Sequence, residues 1–291
     1  MRRKEKFIET LLFICAMITI FTTVGIIWVL LSESFLFFKE VSVFDFLTDT
    51  EWTPLFAQKH FGIMPLLSGT LLTTFVAMLV ALPIGLTIAV YLNEYAHPKF
   101  RKVVKPLLEI LAAVPTVVYG FFALIVVTPF LQNIIPGLSG FNAISPGIVM
   151  GIMIIPFISS LSEDALAAVP NSLREASYGL GSTRLQTSFK VLIPAASSGI
   201  ISSIILAFSR AIGETMIVSI AAGQQPRLTL DPTVPIETIT AYIVQVSLGD
   251  VPHGSLEYRT IFAAGITLFL FTLLLNNISF YVNRRYKLKY E

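Results

Sequence analysis

The chain has 291 residues, 55% hydrophobic and only 13% charged, with a formal net charge of +2 and a mean hydropathy of +0.79. A soluble domain carries about 25% charged residues, so this composition excludes an ordinary water-soluble fold. A single cysteine, Cys15, excludes an internal disulfide framework and a cysteine-based zinc site. It lies in an apolar run and reads as a small buried side chain. His60, His97 and His253 are far apart, so no metal site is expected.

Crossing a bilayer takes about 20 mostly apolar residues. Six such runs follow one another, near 9–32, 67–93, 106–131, 144–161, 199–222 and 258–282, predicting an all-α integral membrane protein with six transmembrane helices. The first run follows MRRKEK, but its uncharged stretch from Thr10 to Ser32 exceeds a signal-peptide core of about 7–15 residues and lacks an A-x-A site. It predicts a retained anchor.

Lysine and arginine placement sets the topology. With the N-terminus cytoplasmic, that side holds Arg2, Arg3, Lys4 and Lys6, then Lys99, Arg101, Lys102 and Lys105. It also holds Arg174, Arg184 and Lys190, then Arg284, Arg285, Lys287 and Lys289, against Lys39, Lys59, Arg227 and Arg259 outside. Fifteen against four places both termini in the cytoplasm. The outer connections are then 33–66, polar and acidic around Trp52, and 223–257, which is proline-containing and acidic. Each reads equally as a solvated loop or as a surface for another protein.

In the second run Thr70, Thr73 and Thr74 share one helix face. They either line a polar path or bond their own backbone. Pro83 and Pro115 predict kinks. Glu109 reads as a partner for a loop arginine such as Arg174, or as a surface carboxylate. The cytoplasmic segment 163–198 predicts two helices. Leu173, Ala176 and Leu180 have helical spacing behind Asn171 or Ser172 as N-cap, Gly181 breaks the pattern, and Ser182-Thr183 cap a second helix ending before Pro194.

The fifth run contains SRAIGETM, Ser209 to Met216. Eleven residues from Gly199 to Arg210 rise about 16 Å, roughly half of a 30 Å hydrocarbon core. A central arginine costs about 2.5–3.5 kcal/mol on insertion scales and faces a bundle interior or aqueous cavity. Glu214 follows one turn later on nearly the same face. Either the two charges pair to reduce their own penalty, or Arg210 presents its guanidinium to a crossing anion while Glu214 holds it in place. Ser209 and Thr215 flank the pair.

Two stretches carry a resemblance. Glu175-Ala176-Ser177, then Gly181, then Val191-Leu192-Ile193-Pro194, resembles the EAA loop of ABC-importer permeases at every spacing, with Ser177 for an alanine and Ile193 for a leucine. The segment Arg210-Ala211-Ile212-Gly213-Glu214-Thr215 is similar to the corresponding segment in permeases of phosphate-specific ABC importers. FGIMPLLSGTLLTT, ALPIGLTIAVYLNEYA and LEILAAVPTVVYGF extend the likeness over nearly the whole chain.

The resemblance implies a type I ABC importer permease fold, with a five-helix core wrapped by the first helix. It implies a bacterial or archaeal inner-membrane location. The implied partners are a homologous second permease, two ATP-binding subunits and an extracytoplasmic phosphate-binding protein, with phosphate as substrate, lipid around it and no nucleic acid. Arg210 and Glu214 are implied in phosphate passage, and Arg174, Glu175, Ala176, Ser177, Gly181 and Pro194 in ATPase docking. The sequence has no G-x-x-x-x-G-K-[ST] loop, so ATP and Mg are expected on the partners, with no cofactor here and no enzymatic turnover by this chain. Two other readings remain at this point: a permease for molybdate, sulfate or phosphonate, and an ion-driven secondary transporter.

Overall fold

The computed structural model describes residues 2–287, and side chains over 5–281. Lys289 lies outside the described residues, as do the side chains of Arg2, Arg3, Lys4, Arg284, Arg285 and Lys287. Helix α1 (Arg2–Glu40) is a single 39-residue rod, about 58 Å long at 1.5 Å per residue. It runs past the apolar stretch because its outer end is packed: Phe37 is fully buried, and Ser34 Oγ donates to the Phe262 carbonyl at 3.0 Å. Side chains 5–16 are exposed, Cys15 among them. The expectation of a buried cysteine therefore fails, since an apolar run facing lipid or a second subunit looks the same in sequence as one facing its own core.

Helix α2 (Val43–Thr48) starts at Ser42, whose hydroxyl accepts from Phe44 N at 3.2 Å. With Phe37, Phe46, Trp52 and Tyr242 it closes one end of the molecule through edge-to-face aromatic contacts, such as Trp52 on Tyr242 at 5.0 Å between centroids. Helix α3 (Met64–Glu94) continues through Pro83. The next run does not cross as one rod. Helix α4 (Pro98–Ala113) is followed, across an 83° bend, by α5 (Thr116–Phe122), a π turn at Ala123–Val127 and α6 (Thr128–Gln132). The break falls at Val114-Pro115, both in extended backbone, because proline pushes the residue before it out of the helical region.

Helix α7 (Ile144–Ala167) packs along α3 as the most extensive helix pair. Gly147 and Gly151, four apart, permit the approach: a Cβ at Gly151 would meet the Ala77 carbonyl oxygen at 2.7 Å, and one at Gly147 would meet Val76 at 2.6 Å. Small residues at this spacing let membrane helices gain dispersion energy where no hydrophobic force acts between them. Next come α8 (Asn171–Gly179), α9 (Arg184–Thr187), a π turn at Ser188–Leu192 and α10 (Ile193–Ala195). The second helix does not end before Pro194 as expected: the run from Arg184 continues through the π turn and past Pro194 to Ala195, then bends 74° into α11 (Ser197–Ile212).

The fifth run is also divided, since α12 (Met216–Ala221) begins only after Gly213, Glu214 and Thr215. Helix α13 (Ile239–Leu248) lies within the outer connection, and α14 (Leu256–Lys287) follows. Among the described residues four helices are long and apolar enough to cross alone, and counting each bent pair as one crossing gives six. A buried core of Ala77, Ala81, Met150, Ile154, Ile158, Ala207 and Ile217 joins α3, α7, α11 and α12.

Candidate functional site

Arg210 stands in the last turn of α11 with its side chain exposed. It lines a cavity of ≈ 320 Å³ bounded by α3, α4, α7 and α11. Lys105, Glu109, Ser159, Ser160 and Glu163 supply the other polar groups. Glu163 is fully buried and pairs with Arg101 and with Lys105 Nζ, the latter at 2.6 Å. An unpaired buried carboxylate would carry a penalty of several kcal/mol. The two cations, four residues apart on α4, remove it and fasten α4 to α7. Two cations, Lys105 and Arg210, and two carboxylates, Glu109 and Glu163, thus line the cavity, with Arg101 paired to Glu163 beside it. Among the described residues no carboxylate pairs with Arg210, so its planar fork of donors is available to an oxyanion.

Glu214 does not take the expected place beside Arg210. Gly213 ends α11, and the Glu214 carboxylate turns to the next helix, where Oε1 accepts from Met216 N at 3.2 Å and Ile217 N at 3.5 Å. The helical period that put the two residues on one face stops at the break, and no ion pair joins them among the described residues. Glu214 is nearly buried, and its carbonyl accepts from Thr240 Oγ1 at 2.7 Å. It therefore orients the segment that follows Arg210. Thr215 Oγ1 donates to the Gly213 carbonyl at 3.3 Å inside the break.

The threonines of α3 divide. Thr70 Oγ1 donates to Leu66 O at 2.7 Å and accepts from Ile239 N at 3.0 Å, tying α3 to the start of α13, and Thr73 Oγ1 donates to Gly69 O at 2.9 Å. Thr74 Oγ1 and Ser209 Oγ are buried without a partner. None of these four lines the Arg210 cavity.

The segment after α7 forms a hairpin. Helix α8 has Pro170 at its N-cap and no side-chain cap, so neither Asn171 nor Ser172 caps it as expected; both lie inside its first turn. Gly181 has φ +80°, a left-handed conformation suited to glycine. Thr183 and Gln186 form a reciprocal capping box on α9. Ser177 and Thr187 hydroxyls lie 2.9 Å apart, joining the two arms. Glu175 and Ala176 face outward, and Leu180 (88% exposed), Leu185 and Phe189 are bare. Arg174 does not reach Glu109. Its Nη2 pairs with Glu94 Oε1 at 2.8 Å, while Glu109 lines the Arg210 cavity. Sequence reasoning passed over Glu94, Glu163, Arg101 and Lys105. The signal for the last two was the i, i+4 spacing of cations on an amphipathic helix.

Residues 81–288 match the family described as binding-protein-dependent transport system inner membrane component. A probable ABC transporter permease protein, YqgH, of Bacillus subtilis is 36% identical over 272 residues, 91% of this chain and 87% of that protein. The phosphate transport system permease protein PstC of Mesorhizobium japonicum is 34% identical over 261 residues, 83% of this chain and 79% of that one. Among solved structures, a bacterial alginate ABC transporter chain matches 94% of each chain with a TM-score of 0.62 at 19% identity. A chain of the inward-facing MetNI methionine ABC transporter covers 77% of this chain and 94% of its own, with a TM-score of 0.56 at 19% identity. These two likenesses concern the fold.

Proposed function

Because the chain belongs to the family of binding-protein-dependent transport system inner membrane components, we propose that it is the membrane-spanning permease subunit of an ATP-driven importer of inorganic phosphate. It forms the path with a homologous second permease, receives phosphate from an extracytoplasmic binding protein and docks two ATP-binding subunits on the α8–α9 hairpin. Both termini face the cytoplasm. ATP and Mg act on those partner subunits. Relatives named as phosphate permeases support the substrate, and the bare apolar side chains of the hairpin support a protein partner there.

The observation that carries the reading is Arg210, a guanidinium on a cavity wall with no carboxylate of its own. A single arginine offers two parallel donors to phosphate oxygens yet holds the anion weakly, which suits a ligand that must be released. Closure of the ATPases on ATP moves the hairpin and opens the cavity to the outside, and hydrolysis resets it inward. Glu163 keeps Lys105 and Arg101 beside the path.

The test is uptake of labelled phosphate by cells carrying Arg210→Gln, with assembly followed by copurification. Loss of at least about a hundredfold in uptake by an intact complex is expected, the scale of losing a group that stabilises a developing charge contact. Unchanged uptake would remove the anion-contact role. Competition by molybdate, sulfate and phosphonate in the same assay identifies the anion.

A further inference from the structure

We propose that Glu94 is a positioning residue, a latch through which movement of α8 reaches the membrane helices; this rests on the permease reading above. Glu94 ends α3, and its side chain is 3% exposed. Its Oε1 accepts from Arg174 Nη2 at 2.8 Å and from Asn93 Nδ2 at 2.8 Å, while Oε2 stands 3.5 Å from the Tyr178 hydroxyl. Arg174 and Tyr178 are four apart on α8, so one face of that helix is turned to a single carboxylate. Arg174 Nη1 also donates to Asn171 Oδ1 at 2.9 Å, fixing the guanidinium to its own helix before it reaches Glu94.

No other ion pair links α8 to a spanning helix among the described residues. The remaining polar tie, Ser177 to Thr187, stays within the hairpin. The opposite side of α8, with Glu175 and Ala176 exposed, is left for the docked subunit. Beyond the latch, α3 lies against α7 with glycines at the contact: a Cβ at Gly85 would meet Ile158 at 2.9 Å, and Gly151 lies as close to Ala77. Such a contact transmits displacement rather than absorbing it. Helix α7 in turn carries Glu163 on the wall of the Arg210 cavity. A push on α8 thus runs through Arg174 and Glu94 into α3, then α7, and so to the cavity. Buried ion pairs contribute little net stability compared with apolar packing, so stability alone is a weak reason for a charge pair at this joint.

The experiment uses the complete complex with its partner subunits in proteoliposomes, comparing wild type, Glu94→Gln, Arg174→Gln and the exchange Glu94→Arg with Arg174→Glu. The readouts are yield of assembled complex, basal ATP hydrolysis, its stimulation by the loaded binding protein, and phosphate uptake. Glu94→Gln, at the end of α3 and off the docking hairpin, is expected to assemble and keep basal hydrolysis. Stimulation and uptake should fall about tenfold, the scale of a lost coupling between sites, and the exchange should restore both to within about threefold. Unchanged stimulation in the single variants would overturn the latch, as would loss of basal hydrolysis in step with assembly in Glu94→Gln, or an exchange no better than either single variant. Wild-type vesicles without phosphate uptake would instead overturn the substrate, and stimulation of hydrolysis would still read the latch.

Discussion

Glu237 is 2% exposed in the outer connection, and its Oε1 has no hydrogen-bond partner. Burial pushes its carboxyl from 4.5 up to about 8, since desolvation disfavours the charged form. Below pH 4.5 the folded and unfolded chains both hold the proton. Between there and about pH 8 the unfolded chain releases it while the folded chain keeps it, so this residue lowers stability as pH rises. Glutamine has the shape of the neutral acid. Glu237→Gln should therefore leave the thermal midpoint of the purified complex nearly unchanged near pH 5 and raise it by several degrees at about pH 8.5. An equal gain at both pH values would mean that the carboxyl is ionised in the folded protein.

Elements are where the sequence and the structure part most clearly. The spacing around Gly181 was legible because a left-handed glycine just ahead of a capping box leaves a strong local signature. A valine there would add about 1–2 kcal/mol of backbone strain at φ +80°, with nothing for its Cβ to touch within 4 Å. Gly181→Val should thus reduce copurification of the ATPase several-fold while membrane insertion is unchanged. Gly181→Asn, which tolerates this conformation, should retain docking. An equal loss in both variants would assign the effect to the side chain instead of the backbone. The six apolar runs were legible too, because lipid demands length and apolarity alone. Their interruptions were legible only in part. Pro115 marked a kink but not the 83° turn found there, and nothing in the spacing of Arg210 and Glu214 shows that the break at Gly213 swings Glu214 away. The Arg210 cavity was half legible. The arginine stood out in an apolar run, but its neighbours Lys105, Glu109 and Glu163 come from α4 and α7, and no local spacing joins residues that distant.

At the scale of the molecule, the chain sorts its contacts to two ends. One end holds Glu94, the basic start of α4 and the α8–α10 hairpin, tied by Arg174. The other holds the Trp52 and Tyr242 aromatic cluster, with Arg259 reaching Glu40 at 3.1 Å and Thr233 N bonded to Asp231 at 2.9 Å. The proposed topology, with the basic excess inside and the acidic connections outside, assigns these ends to opposite faces of the membrane, and each presents a bare leucine, Leu180 at 88% and Leu230 at 87% exposure. Cys15 is the only thiol, so a Cys15→Ser background makes sidedness directly readable. In right-side-out vesicles, a membrane-impermeant maleimide should label Leu230→Cys at once and Leu180→Cys only after permeabilisation. The reverse pattern would put the hairpin outside, where no nucleotide-hydrolysing partner can reach it, and would break the chain of contacts from α8 to Arg210 at its first link.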